Sequence, residues 1–429
     1  MKALIIGSGG REHAIFYKIQ QELGENNVLI TPGNGGTAKY AIKSDLNNFE
    51  QIKKIVLENN IDLIICGPEQ PLANGIADYF NNDTSLNKKI FIGPTQQAAK
   101  LESSKTFAKK FMQKYQIPTA NFANFNHTQF EEANIFLNSL TAPYVIKASG
   151  LAAGKGVVIT NDINEARETI SQFFYQNALG EAGKEIVIEE FIDGIEMSAF
   201  IATNGKDYVL LPEAKDYKKI GEGDTGLNTG GMGSVSPTNL LNEPLKDKII
   251  SKIIHPTLFG LQDMKISFNG FIFFGIIIKN NEPYLLEYNV RLGDPETQVV
   301  IPRFKTSFTE LCLSIKNENL NKYKIETNQL YHCCITLASK GYPNNYEKNK
   351  IIEIKNEKID SFIFHGGTQL DSHGNIVTSG GRVLYIVGYG DSLRAAQLMA
   401  YNDIKKIHFD GIYYRKDIGD DLLNLKNNF

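Results

Sequence analysis

Tyr284-Leu285-Leu286-Glu287-Tyr288-Asn289-Val290-Arg291-Leu292-Gly293-Asp294-Pro295-Glu296-Thr297 is the stretch on which the reading of this chain turns. It opens as a strand, because Leu285 to Tyr288 is a short apolar run broken by a single acid. Side chains of a strand alternate between faces, so Glu287 and Asn289 project together and Arg291 joins them. A carboxylate and an amide carbonyl placed in this way suit a hard cation such as Mg²⁺ or Mn²⁺. Such an ion takes one or two protein oxygens and completes its shell with waters and phosphates. The same residues also fit a half-exposed strand end that enters a Gly-Asp-Pro turn, and the choice is made by what lies upstream.

The chain has 429 residues, well past one compact core, so about two to four domains are expected. It is 42% hydrophobic and 22% charged with a net charge of −3, and its Lys and Arg are scattered. No basic stripe argues for nucleic acid. Cys66, Cys312, Cys333 and Cys334 lie in or near apolar runs without a C-x-x-C spacing, and reduced, buried thiols are expected. The apolar run from Ala3 stops at Gly7, too short for a signal-peptide core, and Phe271 to Ile278 is too short to span a bilayer. The expectation is a cytoplasmic protein without nucleic-acid or membrane partners.

The first hundred residues alternate strand and helix. Strands are predicted at Ala3 to Ile6, Val28 to Thr31, Ile61 to Cys66 and Ile90 to Ile92, with helices near Glu12 to Leu23, Phe49 to Glu58 and Leu72 to Phe80. That order gives a parallel sheet, whose ligands bind beyond the carboxyl ends of the strands. Those ends carry Gly7-Ser8-Gly9-Gly10-Arg11, Pro32-Gly33-Asn34 and Gly67-Pro68-Glu69. A dinucleotide site is excluded, because the third glycine of G-x-G-x-x-G is Glu12 and no acid closes the second strand. A smaller phosphorylated ligand, held by backbone N–H groups at a helix N-terminus with Arg11 and faced by Glu69, fits better. A tight turn that needs glycine only for sterics is the alternative.

A helix is predicted from Ser103 to about Tyr115. Tyr144-Val145-Ile146-Lys147 then reads as a buried strand, and a second strand, Val157 to Thr160, follows Gly150-Leu151-Ala152-Ala153-Gly154-Lys155-Gly156. This is not a P-loop, because Gly156 stands where Ser or Thr should be and a strand follows instead of a helix. A glycine-rich loop between two strands can close over phosphates while Lys147 and Lys155 neutralise them. After a helix at Ile163 to Tyr175, the run Glu185-Ile186-Val187-Ile188-Glu189-Glu190-Phe191-Ile192-Asp193-Gly194-Ile195-Glu196 suits an adenosine pocket between domains. Main-chain groups from Glu189 through Phe191 to Ile192 would read the adenine edge, and Glu196 the ribose hydroxyls.

Taken in order, Gly9-Gly10-Arg11-Glu12-His13, the lysine-glycine flap, Ile188-Glu189-Glu190-Phe191, Asp224-Thr225-Gly226-Leu227-Asn228-Thr229-Gly230-Gly231-Met232-Gly233-Ser234 and the opening stretch resemble the phosphoribosylamine–glycine ligase family of ATP-grasp enzymes. The resemblance runs from Met1 to Arg415-Lys416-Asp417-Ile418-Gly419. It implies an N-terminal α/β domain over 1–102 and an ATP-grasp domain over 103–327 with a mobile lid at about 124–193. A mostly β C-terminal domain over 328–429 completes the chain. The last fits strands predicted at Cys333 to Leu337 and Val383 to Val387 and a helix at Ser392 to Ile407.

The reaction that the resemblance implies uses ATP to phosphorylate glycine, after which the amine of 5-phosphoribosylamine attacks the glycyl phosphate. On that footing Glu287 and Asn289 hold Mg²⁺ or Mn²⁺, and Lys105, Lys147, Gly154, Lys155 and Gly156 meet the ATP phosphates. Arg291 grips glycine or its acyl phosphate, and the 228–233 loop walls a small pocket. Asp216, Gly231, Gly293 and Asp294 complete the substrate side. Gly9, Gly10, Arg11, Asn34, Gly67, Pro68 and Glu69 receive phosphoribosylamine. A monomer is expected, and no channelling partner is assigned. Two positions depart from the pattern, Ser149 where Asp is common and Tyr217 where His is common. The strand Phe273 to Lys279 has no carboxylate, which puts a second tightly held metal in doubt. Another ATP-grasp ligase, a biotin-dependent carboxylase and a non-catalytic nucleotide sensor are the rival readings, and the kept Lys147, Lys155, Glu287 and Asn289 argue against the sensor.

Overall fold

The computed structural model describes residues 1–152, 156–176, 178–317 and 319–425. Its N-terminal sheet has four parallel strands in the order Val28–Pro32, Ala3–Gly7, Leu63–Cys66, Ile90–Ile92. Ala3 to Ile6 is wholly buried because both faces of this strand are covered. Leu4 and Ile6 enter one core and Ala3 and Ile5 another, so the run is continuously apolar instead of alternating. Helices Gly10–Leu23 and Phe49–Glu58 follow the prediction. The helix expected over Leu72 to Phe80 is two, Glu69–Ala73 and Ile76–Asn82. They part at Gly75, whose φ of +89° lies in the left-handed region that a glycine enters without a Cβ clash.

Two antiparallel four-stranded sheets follow. The larger runs Tyr208–Leu210, Ile195–Thr203, Gly270–Lys279, Glu282–Asn289, and the smaller Phe122–Asn126, Glu185–Glu190, Tyr144–Ala148, Val157–Thr160. Helices Phe130–Ser139 and Ile163–Tyr175 cover the smaller sheet and bury Ile146, Ile186 and Ile188 against Leu137, Ile170 and Phe173. This unit therefore has a core of its own. In the larger sheet the register slips between Gly275, opposite Glu287, and Ile276, opposite Leu285. The extra residue is Leu286. It turns Leu286 and Glu287 away from the core side that holds the fully buried Leu285, a re-aiming that β-bulges commonly provide.

The C-terminal sheet has five strands in the order Lys215–Asp216, Gly233–Ser236, Tyr331–Ala338, Arg382–Gly390, Phe362–His365. Its first two strands come from the stretch between the strands of the larger sheet, so Asp216 is carried into the molecule's centre by pairing with the C-terminal region. Neighbouring Cys333 and Cys334 fall into different cores, as opposite faces of one strand require, and all four thiols are free and buried. The helix expected to reach Ile407 spans Leu393–Ile404, capped by the Ser392 hydroxyl. Ile407–His408 instead pairs with Glu353–Ile354. No helix among the described residues is long and apolar enough to cross a membrane.

The N-terminal layer is joined to the next by Glu22, which accepts from the Phe308 and Thr309 N–H groups, both at 2.8 Å, and from the Ser307 hydroxyl at 2.9 Å. These groups open helix Phe308–Lys316, where orphan N–H donors and the helix dipole favour a negative charge. Burial alone would raise the Glu22 carboxyl, but the bonds from Thr309, Phe308 and Ser307 hold it below the ordinary carboxylate range. Glu22→Ala is therefore expected to lower stability by about 2 kcal/mol, read as a shift in the urea midpoint. A depressed carboxyl stabilises the fold above its unfolded range, so the difference should shrink as pH falls below the carboxylate range.

Candidate active site

A cavity of about 1100 Å³ lies between the two antiparallel sheets and extends to Lys215, Asp216 and Arg382 of the C-terminal sheet. Fifteen of the predicted residues line it: Arg11, Glu69, Lys105, Lys147, Gly156, Glu189, Phe191, Ile192, Glu196, Asp216, Glu287, Asn289, Arg291, Gly293 and Asp294. Gly154 and Lys155 lie outside the described residues.

Glu287 and Asn289 leave the same face of Glu282–Asn289, as the strand period requires. The Glu287 carboxyl is held down at about 2, foremost by the Lys218 ammonium and, against the cost of burial, by Lys147 and Lys105. It is a fixed negative charge at any physiological pH. Asn289 Oδ1 accepts from Arg291 Nη2 at 3.3 Å. Gly275 stands across the ladder from Glu287, so no carboxylate faces it there. One carboxylate, one amide oxygen and open space suit a Mg²⁺ or Mn²⁺ ion that brings its remaining ligands as water and phosphate. Among the described residues no cluster of three His, Cys, Asp or Glu would hold a metal by itself.

The smaller sheet supplies the second wall. Glu189 is buried and lies between Lys147, at 3.0 Å, and Lys109, at 3.1 Å. Burial alone would raise its carboxyl, but Lys147 and then Lys109 lower it, while burial drops the Lys109 ammonium to about 8. Phe191 is exposed along the cavity, and Ile192 packs with Ala120 and Ile277. With Val145 and Leu286 they supply apolar lining to the cavity, beside the chain segment from Glu190 to Ile192. Ser149 has a definite role. Its hydroxyl accepts from Thr106 N–H at 3.1 Å and its carbonyl from Lys105 N–H at 2.8 Å, fixing the helix start that carries Lys105.

At the far end Arg291 donates to Glu102 at 2.7 Å and lies 3.5 Å from Glu69. It thus ties the larger sheet to the N-terminal layer, with one guanidinium edge along the cavity wall. Half-buried Asp216 and buried Glu296 form an acid pair. Burial first, and each other's charge in the case of Asp216, push both carboxyls up, and Asp216 Oδ1 has no hydrogen-bond partner among the described residues. Ser198 donates to Glu296 at 3.0 Å. Gly231, at φ +116°, is forced to be glycine by more than its backbone. A Cβ there would come within 2.4 Å of Pro295 and 2.6 Å of Asp216. A Cβ on Gly293 would stand 2.3 Å from Glu296.

A second cavity, of about 520 Å³, opens at the strand ends Ser8-Gly9 and Pro32-Gly33 and is closed by Gly366, Thr368, Arg382 and Tyr385 of the C-terminal region. Asp294, Tyr342 and Arg382 line both cavities, so the two adjoin. The first loop differs here from its expected use. The Gly9 N–H donates to the Glu12 carboxylate at 2.7 Å, and Arg11 is bonded to Glu12 and to the Leu292 carbonyl. Glu12, the residue that spoils the dinucleotide fingerprint, folds back over the strand ends and occupies donors a phosphate would use. Gly67 leaves room for it, since a Cβ there would be 2.0 Å from Glu12 Oε1. Gly10 packs on Tyr385, and Asn34 spends its amide on the carbonyls of Ser8 and His365 and on the Gly36 and Thr37 N–H groups. Gly10, Asn34, Gly67, Pro68 and Gly231 line neither cavity.

Among the charged residues of the first cavity that sequence reading did not assign are Lys218, Lys109, Glu296 and Arg382. Lys218 lies 3.3 Å from both Glu196 and Glu287. Lys109 pairs with Glu189, and Glu296 with Asp216, while Arg382 donates to the carbonyls of Gly230 and Asp294. Lys218, two residues from Asp216, was within reach of a local pattern. So was Lys109, one turn beyond Lys105 on the same helix, whereas Arg382 reaches the cavity only through tertiary contacts.

Three family descriptions match successive parts of the chain: the N domain of phosphoribosylglycinamide synthetase over residues 1–102, its ATP-grasp (A) domain over 103–297 and its C domain over 332–421. The chain is 44% identical over 421 residues to the phosphoribosylamine–glycine ligase of Clostridium acetobutylicum, covering 98% of this chain and 99% of that one. The crystal structure of phosphoribosylamine–glycine ligase from Thermotoga maritima superposes with a TM-score of 0.84 at 34% identity, covering 97% of this chain and 100% of that one. The biotin carboxylase domain of Hydrogenobacter thermophilus 2-oxoglutarate carboxylase, solved with MgADP and bicarbonate, shares the fold at a TM-score of 0.71 and 16% identity, over 96% and 91% of the two chains. With the parallel N-terminal layer, the two facing sheets and the β-rich C-terminal region in that order, the chain belongs to the phosphoribosylamine–glycine ligase family of ATP-grasp enzymes.

Proposed function

We infer that this enzyme ligates glycine to 5-phospho-D-ribosylamine at the expense of ATP, giving glycinamide ribonucleotide, ADP and phosphate for purine synthesis, and that the large cavity is where it does so. The observation that carries the assignment of the site is the convergence of Glu287, Asn289, Lys105 and Lys147 with the Arg291, Asp216 and Glu296 cluster in one cavity. A carboxylate repels nucleophiles and has no leaving group, whereas its mixed anhydride with phosphate does. When bound, ATP supplies that phosphoryl group, and Mg²⁺ or Mn²⁺ on Glu287 and Asn289 supplies the charge that its oxygens need.

The chain's own work is positioning and charge. Val145, Phe191, Ile192 and Leu286 hold the adenine, Glu196 the ribose, and Lys105, Lys147, Gly154, Lys155 and Gly156 the phosphates. Arg291 faces the glycine carboxylate, and the acid pair Asp216 and Glu296 faces its ammonium. Gly293 lines that pocket, where a Cβ would stand against Glu296, and Gly231 packs behind Asp216, which leaves little room for a larger side chain. Phosphoribosylamine takes the second cavity. Its amine passes Asp294 and Arg382 into the first, and Glu69 and Arg11 wall the passage. This cavity, with Gly9 at its rim, supports the reading better than a phosphate on the Gly9 N–H that Glu12 already occupies. The reading includes a cytoplasmic monomer, which the four buried free thiols suit and sedimentation equilibrium would check.

The test is ADP release. Sustained release is expected only with glycine, MgATP and freshly made phosphoribosylamine together. Turnover with bicarbonate and biotin, or with another acceptor but not with phosphoribosylamine, would replace this function by one of its rivals.

A further inference from the structure

The ammonium of Lys218 lies 3.3 Å from a carboxylate oxygen of Glu287 and 3.3 Å from one of Glu196. It stands at the carboxylate through which the proposed metal site would hold its ion. The base of this side chain is pinned, because the Lys218 carbonyl accepts from both the N–H and the hydroxyl of Thr229, each at 2.8 Å. The ammonium can therefore move only by its own torsions. Besides Glu196 and Glu287, the carboxylates whose charge it feels are Asp216 and Glu296, so a displaced Lys218 stays inside the cavity.

We propose that Lys218 is the resident counter-cation of the metal site, displaced when the divalent ion enters with the nucleotide and then re-used on the phosphates. This rests on the assignment of Glu287 as a metal ligand. A divalent ion arriving alone must displace an ammonium already paired with its carboxylate, and gains only Glu287 and Asn289 in return. An ion arriving on a nucleotide brings phosphate oxygens, and these accept the displaced ammonium as an ion-pair partner. The exchange disfavours idle metal binding and couples metal entry to nucleotide entry. It also explains a lysine wedged against a metal carboxylate, which would otherwise only weaken the site.

Binding of Mn²⁺, followed by the loss of the free-ion electron paramagnetic resonance signal, tests it on the full chain with and without ADP. Lys218→Met should bind Mn²⁺ alone about tenfold more tightly than the native protein, and bind the Mn²⁺–ADP complex more weakly, whereas Lys218→Arg should keep the native order. Opposite signs in the two arms are not expected of a lysine that merely supports the fold. Lys218→Gln repeats the measurement should the Met variant fold poorly. Equal or weaker binding of free Mn²⁺ by the variants overturns the proposal, and so does the absence of binding by any of the proteins at millimolar ion. Glu287→Gln is the control. If it leaves Mn²⁺–ADP binding intact, the metal assignment itself fails, an outcome distinct from failure of the lysine exchange.

Discussion

Glu287→Gln is expected to lower the rate of glycine-dependent ADP release by on the order of 100- to 1000-fold, the range met when one preorganised electrostatic partner of a transferring group is removed. Glutamine keeps the size and one oxygen but loses the charge that Lys218, Lys147 and Lys105 hold in place. The fold should survive. Lys218 retains Glu196, and a pair about a third exposed contributes little to stability, roughly 1 kcal/mol or less. The pH dependence of that small difference has a definite sign. Glu287 is depressed from 4.5 to about 2, so its stabilising effect is present above 4.5 and is lost as pH falls toward 2. Melting temperatures of native and variant proteins should therefore converge in acid. Near-normal turnover at ordinary Mg²⁺ would remove Glu287 from the metal site.

Arg291→Lys is expected to cost about 100-fold in kcat/KM for glycine while MgATP affinity barely changes, because a point charge replaces a planar fork that can hold two carboxylate oxygens at once. The structure adds a second effect. Arg291 is the partner of Glu102, which is buried, accepts from Val290 N–H at 2.9 Å and has a carboxyl that burial raises. Arg291→Met should then destabilise the fold by about 3 kcal/mol, since an uncompensated buried carboxylate remains. Its dependence on pH runs the same way as that of Glu287→Gln, though it comes from a raised carboxyl instead of a depressed one. A carboxyl raised in the folded state is penalised once it must ionise, so the deficit of the Met variant should widen as pH rises above the ordinary carboxylate range. A Lys variant that melts early but handles glycine normally would make Arg291 a tie between layers and nothing more.

Much of the fold was legible because its signals are local. The buried runs Ala3 to Ile6 and Phe271 to Ile278 are too apolar for an exposed face, and the order of strands and helices in the first hundred residues admits a parallel sheet. The Glu287 and Asn289 pair follows from the period of a strand alone. Local signals failed where backbone geometry intervened. Gly75 divides a helix that the apolar spacing of Leu72 to Phe80 joins, and Glu12 takes the donors that a glycine-rich turn advertises.

Alternation along a strand is enough to put Glu287 and Asn289 on one face, the apolar run before the glycine-rich loop ends at Lys147, and the order of the motifs carries the family resemblance. Only the tertiary structure decided which way that face points. Without the bulge at Leu286, Glu287 would lie on the side of the buried Leu285, and alternation cannot reveal an extra residue set by the neighbouring strand. The same holds for the charges around it. Lys109 and Glu189 are 80 positions apart, Lys218 and Glu287 are 69 apart, and Arg291 and Glu102 are 189 apart. Which acid such a charge will meet has no local periodicity to mark it. Its partner is chosen by burial, because a carboxylate taken out of water in the folded chain is retained only where some distant segment brings a cation to it.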